Sequence, residues 1–285
     1  MSEGPPVALV TGATSGIGEL AAAALVRAGF HVVGTGRNTS STVARDGITF
    51  VDLDVTNDEA VVATVAHVIS RFGRIDVLVN NAGMGSAGAA EENSLRQDWN
   101  VFDVNVFGVL RMTKAVLPHM RAHGSGRIIN ISSIFGFIPA PFMASYAAAK
   151  HAIEGYSESV DHETREHGIR VLTVEPAGTR TRFDDNTSRP DNPLPVYAAA
   201  RQIVGDVVAA AVNDGDDPAL VAAAIVAAAT DSRPKLRYPA SPRARQLAVL
   251  RRWVPASAFD KQIRKFNKLP THRSVQPLRQ ERSIP

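Results

Sequence analysis

Tyr146 and Lys150 have the residue types and the spacing needed for proton transfer. Side chains four positions apart on a helix lie on the same face, so the lysine ammonium would stand beside the phenol. A free tyrosine, with a pKa of about 10, is a poor acid or base at neutral pH. A neighbouring positive charge lowers the pKa of a phenol. The pair could then donate a proton to a carbonyl oxygen or take one from an alcohol.

Two more polar residues could complete such a site. Ser133 follows a predicted strand, and its hydroxyl could hydrogen-bond the same substrate oxygen. Asn105 falls inside a predicted helix, where asparagine is disfavoured without a specific role. A tyrosine and a lysine at this spacing are, taken alone, most often a surface pair, so the interpretation depends on the rest of the chain.

A glycine-rich turn near the N-terminus predicts a phosphate site. Residues 7–11 form a predicted strand and run into a turn that opens a helix. Backbone N–H groups freed of side chains, together with the helix dipole, favour an anion there. The spacing G-x3-G-x-G differs from the usual dinucleotide fingerprint, and an ordinary strand-to-helix turn is the alternative. The predicted contacts are Gly12, Thr14, Ser15, Gly16, Ile17 and Gly18.

The end of the second predicted strand bears on the choice of nucleotide. An NAD site places an acidic residue there for the ribose 2′-hydroxyl, and this chain has Gly36 and Arg37 instead. They leave room and positive charge for a 2′-phosphate, which favours NADP(H), although a solvated surface arginine is the alternative. Asp54 and Val55 follow the third strand, where Asp54 could accept a hydrogen bond from the adenine amino group. Asn81, Ala82 and Gly83 follow the fourth strand at the same sheet edge.

The elements that would position these residues alternate between short apolar runs and helical patterns. Strands are predicted at residues 7–11, 30–35, 48–53, 75–79, 127–131, 170–174 and 235–238. Helices are predicted at 16–28, 59–72, 99–121, 145–167, 196–212 and 247–253. This alternation predicts an α/β fold, a Rossmann-like doubly wound parallel sheet with helices on both faces. The Pro-rich stretch 179–195 shows no period.

Taken together, these motifs resemble the main branch of the short-chain dehydrogenase/reductase family over roughly residues 7–182. The matching set is T-G-x3-G-x-G, N-N-A-G, Asn105, Ser133 and Y-x3-K. The resemblance implies about seven strands and a catalytic tetrad of Asn105, Ser133, Tyr146 and Lys150. Tyr146 would be the proton donor, Ser133 would orient the carbonyl, and Asn105 would hold a water linked to Lys150. Tyr146 and Lys150 would also contact the cofactor.

The loop after the sixth strand departs from the family pattern. The family commonly has Pro-Gly at this point, whereas this chain has Ala177, with its extra side chain, directly after Pro176, and Thr181 keeps the family spacing. The resemblance places Pro176, Gly178, Thr179 and Thr181 at the nicotinamide. The substrate cleft is expected beside them, and its predicted walls are Ile134, Phe135, Phe137, Phe142 and Met143. These walls predict an apolar ketone, aldehyde or alcohol as substrate.

Composition sets the remaining limits. The 285-residue chain has no cysteine, which excludes thiol chemistry and disulfides, and its histidines lack metal-ligand spacing. No signal peptide is visible, so a cytoplasmic protein is expected. Residues 1–240 are predicted to form one catalytic domain with a substrate lid at about 179–215. By resemblance, the helices at 99–121 and 145–167 would form the interface of a homodimer or homotetramer.

Residues 241–285 are predicted to be a basic extension. From residue 232 onward the chain carries 14 lysines and arginines against Asp260 and Glu281. Nucleic-acid binding is not expected, because no known module is present. Docking on a membrane surface through 247–253 and 261–268 is an alternative to the favoured interpretation, an extension packed near the substrate cleft. A nucleotide-sensing protein without catalysis is the alternative to an enzyme, but it would not need both Tyr146 and Lys150.

Overall fold

The structure, a computed structural model, describes residues 4–40, 42 and 46–270. Seven parallel strands form one sheet, in the order β3-β2-β1-β4-β6-β7-β9. The strands are β1 (Val7–Val10), β2 (His31–Gly36), β3 (Ile48–Asp52), β4 (Val77–Asn80), β6 (Gly126–Ile131), β7 (Ile169–Glu175) and β9 (Arg237–Pro239). The strand order reverses between β1 and β4, the point at which open α/β sheets bind ligands.

Helices cover both faces of this sheet, as predicted. On one face α1 (Gly16–Arg27) packs against α7 (Pro218–Thr230) over buried β-branched residues of the central strands. On the other face lie α2 (Asp58–Phe72), α4 (Gly108–His123) and α5 (Ala144–Thr164). The doubly wound fold class is confirmed.

The predicted helix 99–121 is wrong as one continuous element. It consists of α3 (Leu95–Phe102), a π-helical turn at Asp103–Phe107, and α4. A π-turn adds one residue to a helical turn and is frequent at functional sites. Here the added residue brings Asn105 inward, where it is 1% exposed.

The segments after β7 also differ from the prediction. The stretch 179–195 contains a 3₁₀ turn at Arg182–Asn186 and a short strand β8 (Thr187–Ser188), which pairs with β5 (Gly85–Ser86). Beyond α6 (Pro195–Asn213), the predicted helix 247–253 begins earlier, as α8 (Pro242–Trp253). A further helix, α9 (Ala256–Phe266), was not predicted. The end of the basic extension, residues 271–285, lies outside the described residues.

No helix in the described residues is long and apolar enough to cross a membrane. The described residues also contain no cluster of three or more histidines and carboxylates suited to a metal.

Candidate active site

A cleft of about 2030 Å³ runs along the carboxyl edge of the sheet. It is larger than the roughly 300–1000 Å³ typical of small-ligand pockets, so it can hold a dinucleotide and a second molecule together. The predicted cofactor residues that line it are Gly12, Thr14, Ser15, Gly16, Ile17, Arg37, Asp54, Val55, Asn81, Ala82, Gly83, Pro176, Gly178, Thr179 and Thr181. Gly18 lies just behind them in α1.

The glycine turn is held against β4 by hydrogen bonds. The Asn81 amide Nδ2 donates to the carbonyls of Thr11 (2.9 Å) and Gly12 (3.1 Å), and the Thr11 hydroxyl accepts from the Asn81 and Ala82 N–H groups. A Cβ at Gly18 would stand 2.2 Å from the Gly12 carbonyl oxygen. This close approach leaves main-chain N–H groups at the start of α1 facing the cleft, and they fit a dinucleotide phosphate.

Gly36 has a structural reason to be glycine. A Cβ there would come within 2.6 Å of the Thr14 side chain, so the end of β2 lies directly against the glycine turn. The next residue, Arg37, is exposed and lines the cleft. Asp54 accepts hydrogen bonds from the N–H and the hydroxyl of Thr56. Burial opposes ionisation of Asp54, but these bonds and the charge of Arg37 leave its pKa lowered.

Asn105 anchors the loop after β4. Its amide Nδ2 donates to the Met84 carbonyl, and its Oδ1 accepts from the Met84 N–H, both at 2.8 Å. The side chain of Asn105 is therefore engaged with Met84, and the predicted role of Asn105, holding a water near Lys150, stays a prediction. The π-turn makes this double contact possible, since it displaces the residue from regular helical register.

Ser133, Tyr146 and Lys150 meet in the middle of the cleft. The Ser133 hydroxyl is within hydrogen-bonding reach of the Tyr146 phenol, and it also accepts from the Phe135 N–H at 3.2 Å. Lys150 Nζ donates to the Ile131 carbonyl at 2.7 Å and lies 5.6 Å from the centre of the Tyr146 ring. All three side chains are more than nine-tenths buried. Three of the four predicted catalytic residues therefore converge in space.

The electrostatics differ from the prediction for Tyr146. Burial raises the pKa of Tyr146 to about 12, although the Ser133 hydrogen bond opposes the rise. Burial also lowers the pKa of Lys150 to about 8, against the charge of Glu154 on the next turn of α5. The prediction that neighbouring charge lowers the Tyr146 pKa is wrong for the protein's own groups, because desolvation by burial outweighs the Ser133 hydrogen bond. The phenol is therefore fully protonated at neutral pH and holds the proton that a carbonyl oxygen would receive.

The loop after β7 closes the nicotinamide end. The Pro176 carbonyl accepts from the Ile134 N–H at 2.9 Å, which ties the loop to the segment after Ser133. Gly178 lies against α6, where a Cβ would stand 2.6 Å from the Ala211 carbonyl. The side chain of Ala177 packs against the apolar cluster that includes Ala244 of α8 and Phe259 of α9, so the departure from the family pattern lies next to the C-terminal helices. Movement of a lid at 179–215 remains a prediction.

The apolar walls are confirmed in part. Ile134, Phe135 and Met143 line the cleft, whereas Phe142 stacks edge-on against Tyr197 and Phe137 packs under α8 and α9. Phe183, which sequence reasoning missed, lies 5.8 Å from the Tyr146 ring. Other missed wall residues come from α6, α8 and α9: Val207, Ala211, Leu247, Leu250, Phe259, Ile263 and Phe266. No local motif marks them, because they reach the cleft only through tertiary packing.

Comparison with known proteins identifies the family. The profile described as short chain dehydrogenase matches residues 6–192. The 3-ketodihydrosphingosine reductase of Bacteroides thetaiotaomicron is 36% identical and covers 92% of this chain and 98% of its own length. A short-chain dehydrogenase structure from Streptomyces avermitilis is 35% identical, with a TM-score of 0.80 over 94% of this chain and 98% of that chain.

Solved structures also bear on the cofactor. A short chain dehydrogenase from Burkholderia cenocepacia, in complex with NADP, is 25% identical, with a TM-score of 0.73 over 92% of this chain and 99% of that chain. A 3-ketoacyl-(acyl-carrier-protein) reductase from Brucella melitensis, complexed with NADH, is 26% identical with a TM-score of 0.70, covering 84% and 97%. Both bind a nicotinamide dinucleotide, which fits the glycine turn described above. The chain belongs to the short chain dehydrogenase family and is an oxidoreductase of that family.

Proposed function

We propose that this protein is an NADP(H)-dependent carbonyl reductase that converts an apolar ketone or aldehyde into its alcohol. One observation carries the proposal: a buried, protonated Tyr146 phenol stands beside Ser133 and Lys150 in a cleft with apolar walls. A bound nicotinamide would supply the hydride. Ser133 would orient the carbonyl oxygen, and Tyr146 would deliver its proton to that oxygen. Lys150 would hold positive charge beside the phenolate that remains.

The raised Tyr146 pKa is consistent with the reductive direction of the proposal. A phenol with a pKa near 12 is protonated at neutral pH, so the proton that a carbonyl oxygen would receive is present. Alcohol oxidation needs the opposite state, a phenolate. The Bacteroides relative is itself named a reductase, in line with this direction.

The first test is replacement of Tyr146 by Phe, which removes only the hydroxyl. NADPH oxidation should be followed spectroscopically against steroid, retinoid, aromatic, aliphatic and sugar carbonyls. We expect turnover of apolar carbonyls by the parent protein and a loss of about 10²–10⁴-fold in the variant, the usual value of a general acid. NADPH binding should persist in the variant. Normal turnover by Y146F would refute the mechanism, and activity confined to sugars would refute the apolar substrate.

The preference for NADP(H) rests on Gly36 and Arg37. The exposed Arg37 guanidinium faces the cleft where the second strand ends, and no carboxylate stands at Gly36 to repel a 2′-phosphate. Replacing Arg37 by Asp should shift the ratio of kcat/KM for NADPH over NADH by about 5- to 150-fold toward NADH. Arg27→Gln, on an exposed turn of α1, is the control. Equal kcat/KM values for NADPH and NADH in the parent protein would contradict the preference.

A further inference from the structure

The cleft reaches the surface at its C-terminal wall. Its lining extends from Tyr146 to Leu250 of α8 and Phe266 of α9, and these two side chains are 49% and 62% exposed. Both side chains therefore lie at the rim of the cleft, where they line the cleft and are also exposed to solvent. A substrate that enters between them first meets apolar surface.

Further apolar side chains are exposed on α8 beside Leu250. Val249, Leu250 and Trp253 share one side of α8, since they follow helical spacing, and Trp253 is 75% exposed. We call these three residues and Phe266 the mouth patch. Large side chains exposed together at the entrance of a binding cleft mark an interaction surface rather than ordinary surface composition.

The charge around the mouth patch is almost entirely positive. Residues 242–268 contain eight lysines and arginines against a single acidic residue, Asp260. The guanidinium of Arg252 lies 5.7 Å from the Trp253 ring. Lys261 and Lys265 lie exposed on α9. Cations placed next to exposed aromatic and aliphatic groups are typical of helices that lie on anionic membranes.

We propose that the mouth patch and its flanking cations dock this protein on an anionic lipid bilayer, so that the cleft opens onto the membrane surface. The charges would bind headgroup phosphates while Trp253 and its neighbours enter the interface. This rests on the proposed function in one respect: an apolar carbonyl substrate partitions into the bilayer and would reach Tyr146 between Leu250 and Phe266. An acidic protein partner would bind the same positive charges, but it would not need exposed apolar side chains at the entrance to the cleft.

The chain offers its own reporter for a test, because it has only two tryptophans, Trp99 and Trp253. Trp99→Phe leaves Trp253 as the sole fluorophore of the full-length protein. This variant is mixed with vesicles of phosphatidylcholine alone, or of equal parts phosphatidylcholine and phosphatidylglycerol. We expect sedimentation with the anionic vesicles only, together with a blue shift of Trp253 emission and protection from a soluble quencher.

Charge removal provides the matched comparison. In the same background, the triple variant Arg252→Gln, Lys261→Gln and Lys265→Gln should bind anionic vesicles on the order of 100-fold more weakly, since each cation near the surface contributes about 1 kcal/mol. Three exposed cations elsewhere serve as the control: Arg27→Gln, Lys114→Gln and Arg121→Gln. The control should bind like the parent.

Three results would overturn the proposal. The first is absence of vesicle binding, and the second is equal weakening in both triple variants. The third is sedimentation without a change at Trp253, which would show charge attraction alone and favour an acidic protein partner. Turnover of a small water-soluble ketone is measured in parallel, and the mouth triple variant should retain it. If no carbonyl is reduced but Trp253 still enters anionic vesicles, only the proposed function fails.

Discussion

The catalytic centre and the mouth of the cleft are held in place by different interactions. At the centre, side chains form hydrogen bonds with main-chain atoms. Lys150 bonds in this way to the Ile131 carbonyl, Asn105 to the N–H and carbonyl of Met84, and Asn81 to the carbonyls of the glycine turn. At the mouth, α8 and α9 rest on a small apolar cluster of Ile134, Ile138, Ala244 and Phe259. One region is fixed by directional bonds, the other by packing.

This difference separates two requirements of the enzyme. Proton transfer needs atoms held to fractions of an ångström, which bonds to a rigid sheet provide. Recognition of an apolar molecule needs surface area more than geometry, and packed helices provide it. We therefore expect changes at the centre to alter the chemical step, and changes at the mouth to alter substrate affinity.

The largest effect is expected at Lys150. Replacing it by Met keeps the length of the side chain but removes the charge beside Tyr146 and the bond to Ile131. We expect kcat to fall by about 10²–10⁴-fold for every carbonyl tested, small or bulky. Thermal stability should be kept, because a buried ammonium is costly to desolvate. A variant that loses affinity for bulky substrates but keeps kcat would contradict the division proposed between centre and mouth.

A smaller and more selective effect is expected at Phe259. Its ring is buried in the apolar cluster with Ile134, and the ring centre lies 5.2 Å from the Arg251 guanidinium. Phe259→Ala should loosen α9 and raise KM for a bulky apolar ketone roughly tenfold, through lost apolar contact. Turnover of a small ketone should change little. Val62→Ala, an exposed site on α2, is the control. Equal loss for small and bulky ketones would mean that the mouth also positions the catalytic groups.

The same division explains what could be predicted from the sequence. The glycine turn and the Tyr146–Lys150 pair depend on local spacing, and the parallel strands depend on short apolar runs, so each is visible in the sequence. The π-turn was not predictable, because it is stabilised by Asn105 bonding to Met84, which lies 21 positions earlier. Burial of the catalytic pair, which reverses the predicted direction of the Tyr146 pKa, is likewise a tertiary property.

The mouth was predicted least well. The short helix at 247–253 was expected, but α9 was missed, and Phe259 and Phe266 carry no motif. Their contribution to the cleft depends on where α9 folds back, and this is set by packing against the segment after Ser133. Strand β9 joins the sheet at one end of β7, and its Arg237 completes a polar cluster that no single stretch of sequence reveals.

One member of that cluster, Glu154, lies on the same helix as Lys150. Glu154, one turn beyond Lys150, accepts from Arg237 Nε at 2.9 Å and from the Thr173 hydroxyl at 3.3 Å. The Glu175 carboxylate stands 3.3 Å from the same Arg237 Nε and is 1% exposed. Two buried carboxyl groups thus share one guanidinium. Burial first, and then the charge of Glu154, raise the pKa of Glu175 to about 8, against the effect of Arg237.

The smallest expected effect is a change in how stability depends on pH when Glu175 becomes Gln. The folded protein holds the Glu175 proton up to about pH 8, whereas the unfolded chain releases it near 4.5. The contribution of this proton to the stability of the folded protein is therefore fully present below pH 4.5 and is lost as pH rises through 8. Gln cannot titrate, so from pH 7 to pH 9 the variant should gain about 1 kcal/mol of stability relative to the parent, because only the pH unit up to the folded pKa of about 8 contributes. Urea unfolding at both pH values measures this.

Glu158→Gln, at a half-exposed carboxylate 3.3 Å from Arg237, is the matched control and should not show the pH-dependent gain. If the parent and E175Q lose stability equally between the two pH values, Glu175 is already ionised in the folded protein, and Arg237 outweighs burial at this site.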